Sequence, residues 1–363
     1  MTSLSFLIKP ASSLCNMRCA YCFYADVSEH RRVKSYGIMS TATVSALMTR
    51  VREEAPDEVT FAFQGGEPTL AGLDFFKSFT QAAKEALPNA KLHYSIQTNG
   101  ILLDEGFIAF FKNERFLVGL SLDGFLENHD YMRKDAGGGA SFNKVLSAYK
   151  RLVAAGVDVN ILTVITGPLA KRATKLWHFY EKHGMDFVQF IPCLDALDEN
   201  ERTPWSLTPR LYAKFLKELF SLWKQALLEE KYVSMRLFDN LIRRAAGEPP
   251  ELCGMCGKCS PQFVIEADGS VYPCDFYVLD ELSCGNVHED TLETIRNHPN
   301  MTRFLSSLSP KACSECRYFS FCGGGCKRYR QLYLKEDGYC PWADFLSSAQ
   351  NDILAARRFV FGY

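Results

Sequence analysis

The stretch Leu4-Ser5-Phe6-Leu7-Ile8-Lys9-Pro10-Ala11-Ser12-Ser13-Leu14-Cys15-Asn16-Met17-Arg18-Cys19-Ala20-Tyr21-Cys22 puts an apolar strand candidate, Leu4–Ile8, directly before three closely spaced thiols. A tight loop after a strand can aim Cys15, Cys19 and Cys22 at one point. Three thiolates on a four-iron cubane leave one iron free to bind something else. A structural zinc ion would want a fourth protein ligand. The nearest candidate is His30, and no further cysteine occurs before Cys193. An open iron–sulfur site, a zinc site and unrelated thiols are the three readings, and the spacing suits the first best. Tyr21 and Phe23 would shield such a site from water.

Outward from this stretch, the first two-thirds of the chain alternate two patterns. Short apolar runs rich in branched and aromatic residues recur at Leu4–Ile8, Val59–Phe63, Leu92–Gln97, Phe116–Leu120, Val159–Ile165 and Phe187–Ile191. Amphipathic stretches separate them at Ser40–Glu54, Phe75–Ala86, Glu105–Lys112, Ser141–Ala155 and Ala170–His183, and Thr208–Leu228 follows the sixth. Six strands, each followed by a helix, predict an α/β fold of parallel strands with right-handed crossovers. A complete eight-fold barrel would need two more units. The pattern changes near Phe238–Pro250. Beyond it lie cysteine-rich loops and one hairpin, Gln262–Ile265 with Ser270–Tyr272. Two domains are expected, residues 1–237 and 238–363.

Composition narrows the function classes. The chain has 363 residues, 47% hydrophobic and 23% charged, which supports a sizeable core. Lys+Arg is 41 against Asp+Glu 42, so no nucleic-acid partner is expected from bulk charge. No apolar run reaches the ~18–20 residues of a membrane span. Met1-Thr2-Ser3-Leu4 shows no secretory signal, so a cytoplasmic location is expected. Ten of the 14 cysteines follow residue 250. Close spacing without an export signal favours metal ligation over disulfides.

The triad, with an aromatic residue before its third cysteine, resembles the radical S-adenosylmethionine superfamily. The next elements are also in order. Gln64-Gly65-Gly66-Glu67-Pro68 follows the second strand candidate, where that superfamily holds the cofactor's amino group. Glycines would let backbone carbonyls approach the ligand, and a carboxylate would complement the ammonium. The resemblance implies a partial (β/α)6 TIM-like barrel. It also implies cofactor contacts from Tyr21, Gly65, Gly66, Glu67, Ser121, Arg133 and Leu194. Singly, such residues more often cap strands, face solvent or fill cores.

The later cysteines read Cys253, Cys259-x14-Cys274, Cys313-x2-Cys316-x5-Cys322-x3-Cys326 and Cys340. This resembles the SPASM extension of peptide-modifying radical enzymes. The resemblance implies Cys253, Cys259, Cys274 and Cys326 on one auxiliary [4Fe-4S] cluster and Cys313, Cys316, Cys322 and Cys340 on a second. With the triad that makes three [4Fe-4S] clusters. Cys256 competes with its neighbours for a ligand place. Cys193 and Cys284 read as buried small hydrophobes.

Several strings resemble the anaerobic sulfatase-maturating enzymes over nearly the whole chain: Ile8–Ser13, Cys22-Phe23-Tyr24, Val33–Met39, Phe61–Leu70 and Tyr272-Pro273-Cys274-Asp275-Phe276-Tyr277. In that family an aspartate after an auxiliary-cluster cysteine is the base, and Asp275 fits that place. The resemblance implies that a 5′-deoxyadenosyl radical takes a hydrogen atom from Cβ of a cysteine or serine in an unfolded sulfatase segment. Asp275 then accepts a proton, the auxiliary clusters accept an electron, and hydrolysis gives Cα-formylglycine. Tyr24 and Gln64 would hold the peptide, and a flavodoxin or ferredoxin would deliver electrons. Phe125 stands where members often carry proline, and Gly137-Gly138-Gly139 reads as a flexible loop. The alternatives are a maturase that forms a crosslink or thioether in a ribosomal peptide, and a zinc-ribbon scaffold. The crosslinking class often carries an amino-terminal winged-helix domain, which a strand beginning by residue 4 does not anticipate.

Overall fold

All six strands form where the apolar runs place them. The structure, a computed structural model, describes residues 2–197, 202–307, 309–333 and 338–361. The strands are β1 (Ser3–Ile8), β2 (Met17–Cys19), β3 (Glu58–Phe63), β4 (Lys91–Thr98), β5 (Leu117–Ser121), β6 (Arg133–Asp135), β7 (Asp158–Ile165), β8 (Phe187–Pro192), β9 (Ser234–Met235), β10 (Val264–Ile265) and β11 (Val271–Tyr272). The chain divides into two compact units. The first comprises Met1–Leu122, Asp130–Asn160 and Pro261–Ser306; the second comprises Asp123–His129, Ile161–Ser260 and Ser307–Tyr363.

In the first unit the strand order is β11-β10-β1-β3-β4-β5. All neighbours are parallel except the β10–β11 hairpin. The helices start where short polar side chains can take a free backbone N–H. Ser40 accepts from Thr43 N at the head of Thr41–Glu53, and Asp104 from Phe107 N at the head of Glu105–Asn113. Helix Leu73–Ala86 buries Phe76, Phe79, Thr80 and Ala83, a stripe with helical spacing. Phe61 and Phe63 of β3 meet this stripe edge-on, with centroids 4.9–5.1 Å apart. Each buried Phe contributes about 1.5–3 kcal/mol, so the aromatic layer fixes the β3 register firmly.

The second unit carries the end of β7, followed by β8 and β9, joined in parallel. Its helices Pro209–Leu228, Arg236–Ala245 and Pro341–Phe361 pack through Phe220, Trp223, Phe238 and Phe345.

The sequence pattern concealed several features. The division at residue 237 falls inside helix Arg236–Ala245, which buries Leu237, Phe238, Leu241 and Ile242 at helical spacing. Helix Pro341–Phe361 emerges from a region that looked aperiodic. Strands β2 and β6 are three residues each, too short to show a period, yet Cys19 pairs with Arg133. The anticipated hairpin forms, but β10 adds to β1 and so belongs with the first unit. The triple-glycine segment is a closed turn rather than a loose loop. Asp135 Oδ1 accepts from Gly137 N and Gly139 N, and Gly138 N donates to the Asp135 carbonyl.

Candidate active site

Strand register assembles the site. Ile8 pairs with Phe63 on one side and with Ile265 on the other. The next residues along these parallel strands are therefore Lys9, Gln64 and Glu266, side by side at carboxyl ends. This is the end where α/β barrels build their sites. Lys9 N donates to the Ile265 carbonyl and Gln64 N to the Ile8 carbonyl, which continues both ladders one step.

Asp275, Tyr24 and Gln64 come together as one hydrogen-bonded set. Tyr24 lies in the helix Phe23–Glu29, and Asp275 starts the turn after β11. Tyr24 Oη donates to Asp275 Oδ2 at 2.6 Å. Gln64 Nε2 lies 3.0 Å from the same oxygen and 2.7 Å from Tyr24 Oη. Asp275 N donates to Gln262 Oε1, which fixes the turn. Asp275 is 6% exposed, and its Oδ1 has no hydrogen-bond partner among the described residues. Burial pushes its carboxyl above the usual range, against the opposing pull of Lys9 and the Tyr24 hydroxyl. Burial and the neighbouring Asp275 push the Tyr24 phenol well up, so it stays a donor. Phe23 stacks on Tyr24 with centroids 4.0 Å apart and meets Phe276 at 4.8 Å, which makes an apolar wall.

The triad loop is built together with the Gly65–Glu67 segment. Gly66 N donates to the Ser12 carbonyl at 3.0 Å, and Glu67 N to the Leu14 carbonyl at 2.7 Å. A Cβ on Gly66 would fall 2.1 Å from the Leu14 carbonyl oxygen, and one on Gly65 2.8 Å from that of Ser12. These glycines are therefore required by the loop that leads into Cys15, a demand separate from ligand access. Glu67 is buried. Its Oε1 accepts from Thr69 N, Thr69 Oγ1 and Thr98 Oγ1, and its Oε2 from Asn99 N at 2.7 Å. The carboxylate thus organises two strand ends, and Oε2 is the atom that carries the single donor. Burial pushes its carboxyl up despite these donors.

The β2–β6 pair brings Arg133 beside Cys19. Arg133 Nη1 donates to Tyr21 Oη at 3.1 Å. Ser121 ends β5 and is buried. Leu194 follows β8 in the second unit, half-buried. Cys15, Cys19 and Cys22 are half-buried. Burial, with smaller contributions from Glu67, Cys19 and Cys22, pushes the Cys15 thiol up to about 12. A bound metal reverses such a shift, because a coordinating thiol is deprotonated outright.

The second unit also holds Cys253, Cys256, Cys259, Cys313, Cys316, Cys322, Cys326 and Cys340. Cys313, Cys316, Cys322 and Cys340 act on one another, and burial foremost raises Cys322 to about 11. Burial likewise pushes Cys253 to about 11, helped by Cys326, Cys259 and Cys256. Cys256 thus lies near Cys253. Gly323, at φ +59°, lets the Cys322–Cys326 turn approach the Met255 carbonyl, where a Cβ would sit 2.3 Å away. Cys274 lies in the first unit, immediately before Asp275. Among the described residues no three His, Cys, Asp or Glu side chains close on a point as one zinc ion would need. Thiolates that each bind a separate iron of a cubane need not close so tightly. Cys284 sits within the apolar core, as its reading as a small hydrophobe anticipated, and Cys193 is also buried. Phe125 is buried beneath Lys175, whose Nζ lies 3.9 Å above the ring.

Sequence reasoning missed Lys9, Arg31 and Glu266. The signal was a lysine ending the apolar run Leu4–Ile8 and a glutamate directly after Val264-Ile265.

Comparisons with known proteins agree with this geometry. Residues 10–171 match the Radical SAM superfamily, and residues 256–317 match SPASM, an iron–sulfur cluster-binding domain. A cysteine-type anaerobic sulfatase-maturating enzyme of Clostridium novyi (strain NT) is 45% identical over 91% of this chain and 90% of its own length. A serine-type anaerobic sulfatase-maturating enzyme of Bacteroides thetaiotaomicron is 28% identical over 90% of this chain and 83% of its own. The solved structure of native anSMEcpe with bound AdoMet and Kp18Cys peptide is 40% identical. It superposes with a TM-score of 0.91 over 99% of this chain and 100% of that one. The fold class is accordingly the partial (β/α)6 barrel with a SPASM region. Family matches, relatives and solved structures converge: this chain belongs to the anaerobic sulfatase-maturating enzymes of the radical S-adenosylmethionine superfamily.

Proposed function

We propose that this chain oxidises Cβ of a cysteine in an unfolded sulfatase segment and yields Cα-formylglycine. The observation that carries the reading is Asp275. Two donors hold one carboxylate oxygen, while the other is buried with no hydrogen-bond partner among the described residues. An acceptor in that state is suited to receive a proton from a bound thiol. The cysteine preference is supported by the 45% identity to a cysteine-type enzyme against 28% for a serine-type one.

In this reading Cys15, Cys19 and Cys22 hold the first cluster. Cys253, Cys259, Cys274 and Cys326 hold the second, and Cys313, Cys316, Cys322 and Cys340 the third. Tyr21, Gly65, Gly66, Glu67, Ser121, Arg133 and Leu194 hold S-adenosylmethionine. When bound, these groups supply one-electron chemistry: removal of a hydrogen atom from the target Cβ and acceptance of the electron left behind. The chain's own residues do the rest. Tyr24 and Gln64 pin Asp275 Oδ2, so that Oδ1 faces the target side chain and takes its proton. Phe23 and Phe276 exclude water while the proton moves. A flavodoxin or ferredoxin delivers the electrons, in the cytoplasm. No helix among the described residues is long and apolar enough to cross a membrane.

The test is anaerobic incubation of the iron-loaded protein with S-adenosylmethionine and a cysteine-containing sulfatase peptide, followed by mass spectrometry. A hydrazine-reactive aldehyde at the target cysteine, with loss of its sulfur, is expected. A product that keeps the sulfur, lacks two hydrogens and resists hydrolysis, with fragment ions joining two residues, would point instead to crosslinking chemistry.

A further inference from the structure

We infer that Lys9 is a positioning residue that ties the hairpin carrying Asp275 to the Gly65–Glu67 segment, and so couples proton removal to cofactor cleavage. The inference rests on the functional reading above and deepens it. Three side-chain contacts and one backbone contact meet at this one residue. Lys9 Nζ lies 2.9 Å from Glu266 Oε1, at the start of the hairpin turn. The same ammonium sits 5.4 Å from the centroid of the Tyr24 ring, whose hydroxyl holds Asp275. The Lys9 stem lies against Gly65, where an added Cβ would be 3.3 Å from Cε and 3.4 Å from Cβ of Lys9. The Lys9 backbone extends the β1–β10 ladder.

The burial is the unusual part. Lys9 is 2% exposed and Glu266 0%. A lysine is almost never fully buried unless paired. Glu266 does not need Lys9 for charge balance, because Arg31 Nη1 meets the same Oε1 at 2.8 Å. A buried ion pair often gives no net stability over apolar residues of the same volume. Pairing with Glu266 does not by itself account for a second buried cation here; the ammonium also acts on the buried Asp275 carboxyl. What Lys9 adds is a link. Without it the hairpin keeps its strand pairing and its Arg31–Glu266 contact, but the Tyr24 ring loses its cation and Gly65 loses its tether to Glu266.

The experiment uses the fully iron-loaded protein with S-adenosylmethionine and the cysteine peptide. Lys9→Met keeps an unbranched stem and removes the ammonium. Iron content, melting temperature and 5′-deoxyadenosine formation should stay close to those of the unaltered protein. Formylglycine made per 5′-deoxyadenosine should fall about tenfold to a hundredfold, the scale on which a small misplacement acts. Glu266→Gln, which weakens the other end of the link, should lower the same ratio. An unchanged ratio in both variants would overturn the inference. So would parallel losses of iron, melting temperature and cleavage in both, because a scaffold role alone predicts that pattern. Failure of the functional reading itself looks different: the unaltered protein would then make no formylglycine.

Discussion

The loop from Cys15 to Cys22 is held largely by contacts that do not involve its thiols, although Met17 N also donates to Cys15 Sγ at 3.4 Å. Met17–Cys19 pairs with Arg133–Asp135, Gly66 and Glu67 donate into the preceding turn, and Asn16 Oδ1 accepts from Asn99 Nδ2 at 2.7 Å. The segment with Cys313, Cys316 and Cys322 is different. Its helices Lys311–Ser314 and Phe319–Cys322 have four residues each, and its backbone hydrogen bonds mostly close single turns, as from Cys316 N to the Cys313 carbonyl. Few apolar side chains are buried there, Phe321 among them. One set of thiols is thus presented by a finished scaffold, whereas the other, if it holds a cluster as proposed, would draw much of its folding energy from the metal.

The largest effect should come from Cys15→Ala, Cys19→Ala and Cys22→Ala combined. Cofactor cleavage should vanish, and iron should drop from about twelve to about eight per chain, four per cubane. Because most of the scaffold's contacts do not use these thiols, the melting temperature should move by only about 2–4 °C, near 1 kcal/mol. A collapse of the melting transition would break the comparison.

Next comes Asp275→Asn, which keeps shape and removes a base. Asp275 follows Cys274 but begins the turn after the β10–β11 hairpin, anchored by Gln262, so it should behave as a scaffolded residue. Formylglycine should fall about 10²–10⁴-fold, with 5′-deoxyadenosine still produced and all clusters loaded. Near-normal formylglycine in a correctly loaded variant would remove Asp275 as the base.

What was legible in the sequence follows the same division. Strands β1, β3, β4, β5, β7 and β8 announced themselves because each is a short apolar run between amphipathic helices. The set Asp275, Tyr24 and Gln64 was named from local strings, and the fold joins positions 251 and 211 residues apart. The Lys9–Glu266–Arg31 cluster was not legible. It depends on β10 adding to β1, a pairing of two residues that no periodicity can signal. The β2–β6 pair was hidden for the same reason. The packing role of Gly65 and Gly66 was hidden too, because a glycine string does not say what lies against it.

A smaller effect tests the second unit. Cys322 is a buried member of its set. Cys322→Ala should cost about four irons, and it should lower the melting temperature more than the triple replacement at Cys15, Cys19 and Cys22, by about 5–10 °C. Calorimetry of both variants under anaerobic conditions compares them directly. Equal shifts would mean that the two thiol sets depend on metal alike.

The smallest effect should belong to Tyr24→Phe. The hydroxyl donates to Asp275 Oδ2 at 2.6 Å, and Gln64 Nε2 lies 3.0 Å from the same oxygen. Loss of one hydrogen bond to a charged group costs about 1.5–3 kcal/mol when nothing replaces it. Here Gln64 remains and the ring still packs on Phe23, so the carboxylate keeps one donor and most of its orientation. Formylglycine per 5′-deoxyadenosine should therefore fall only about tenfold, near 1.4 kcal/mol. Adding Gln64→Ala removes the second donor and should bring the loss toward that of Asp275→Asn. The comparison of single and double variants measures how far the two donors share the task. If Tyr24→Phe alone matched or exceeded Asp275→Asn, the phenol rather than the carboxylate would be the group that meets the substrate, and Asp275 would be its support.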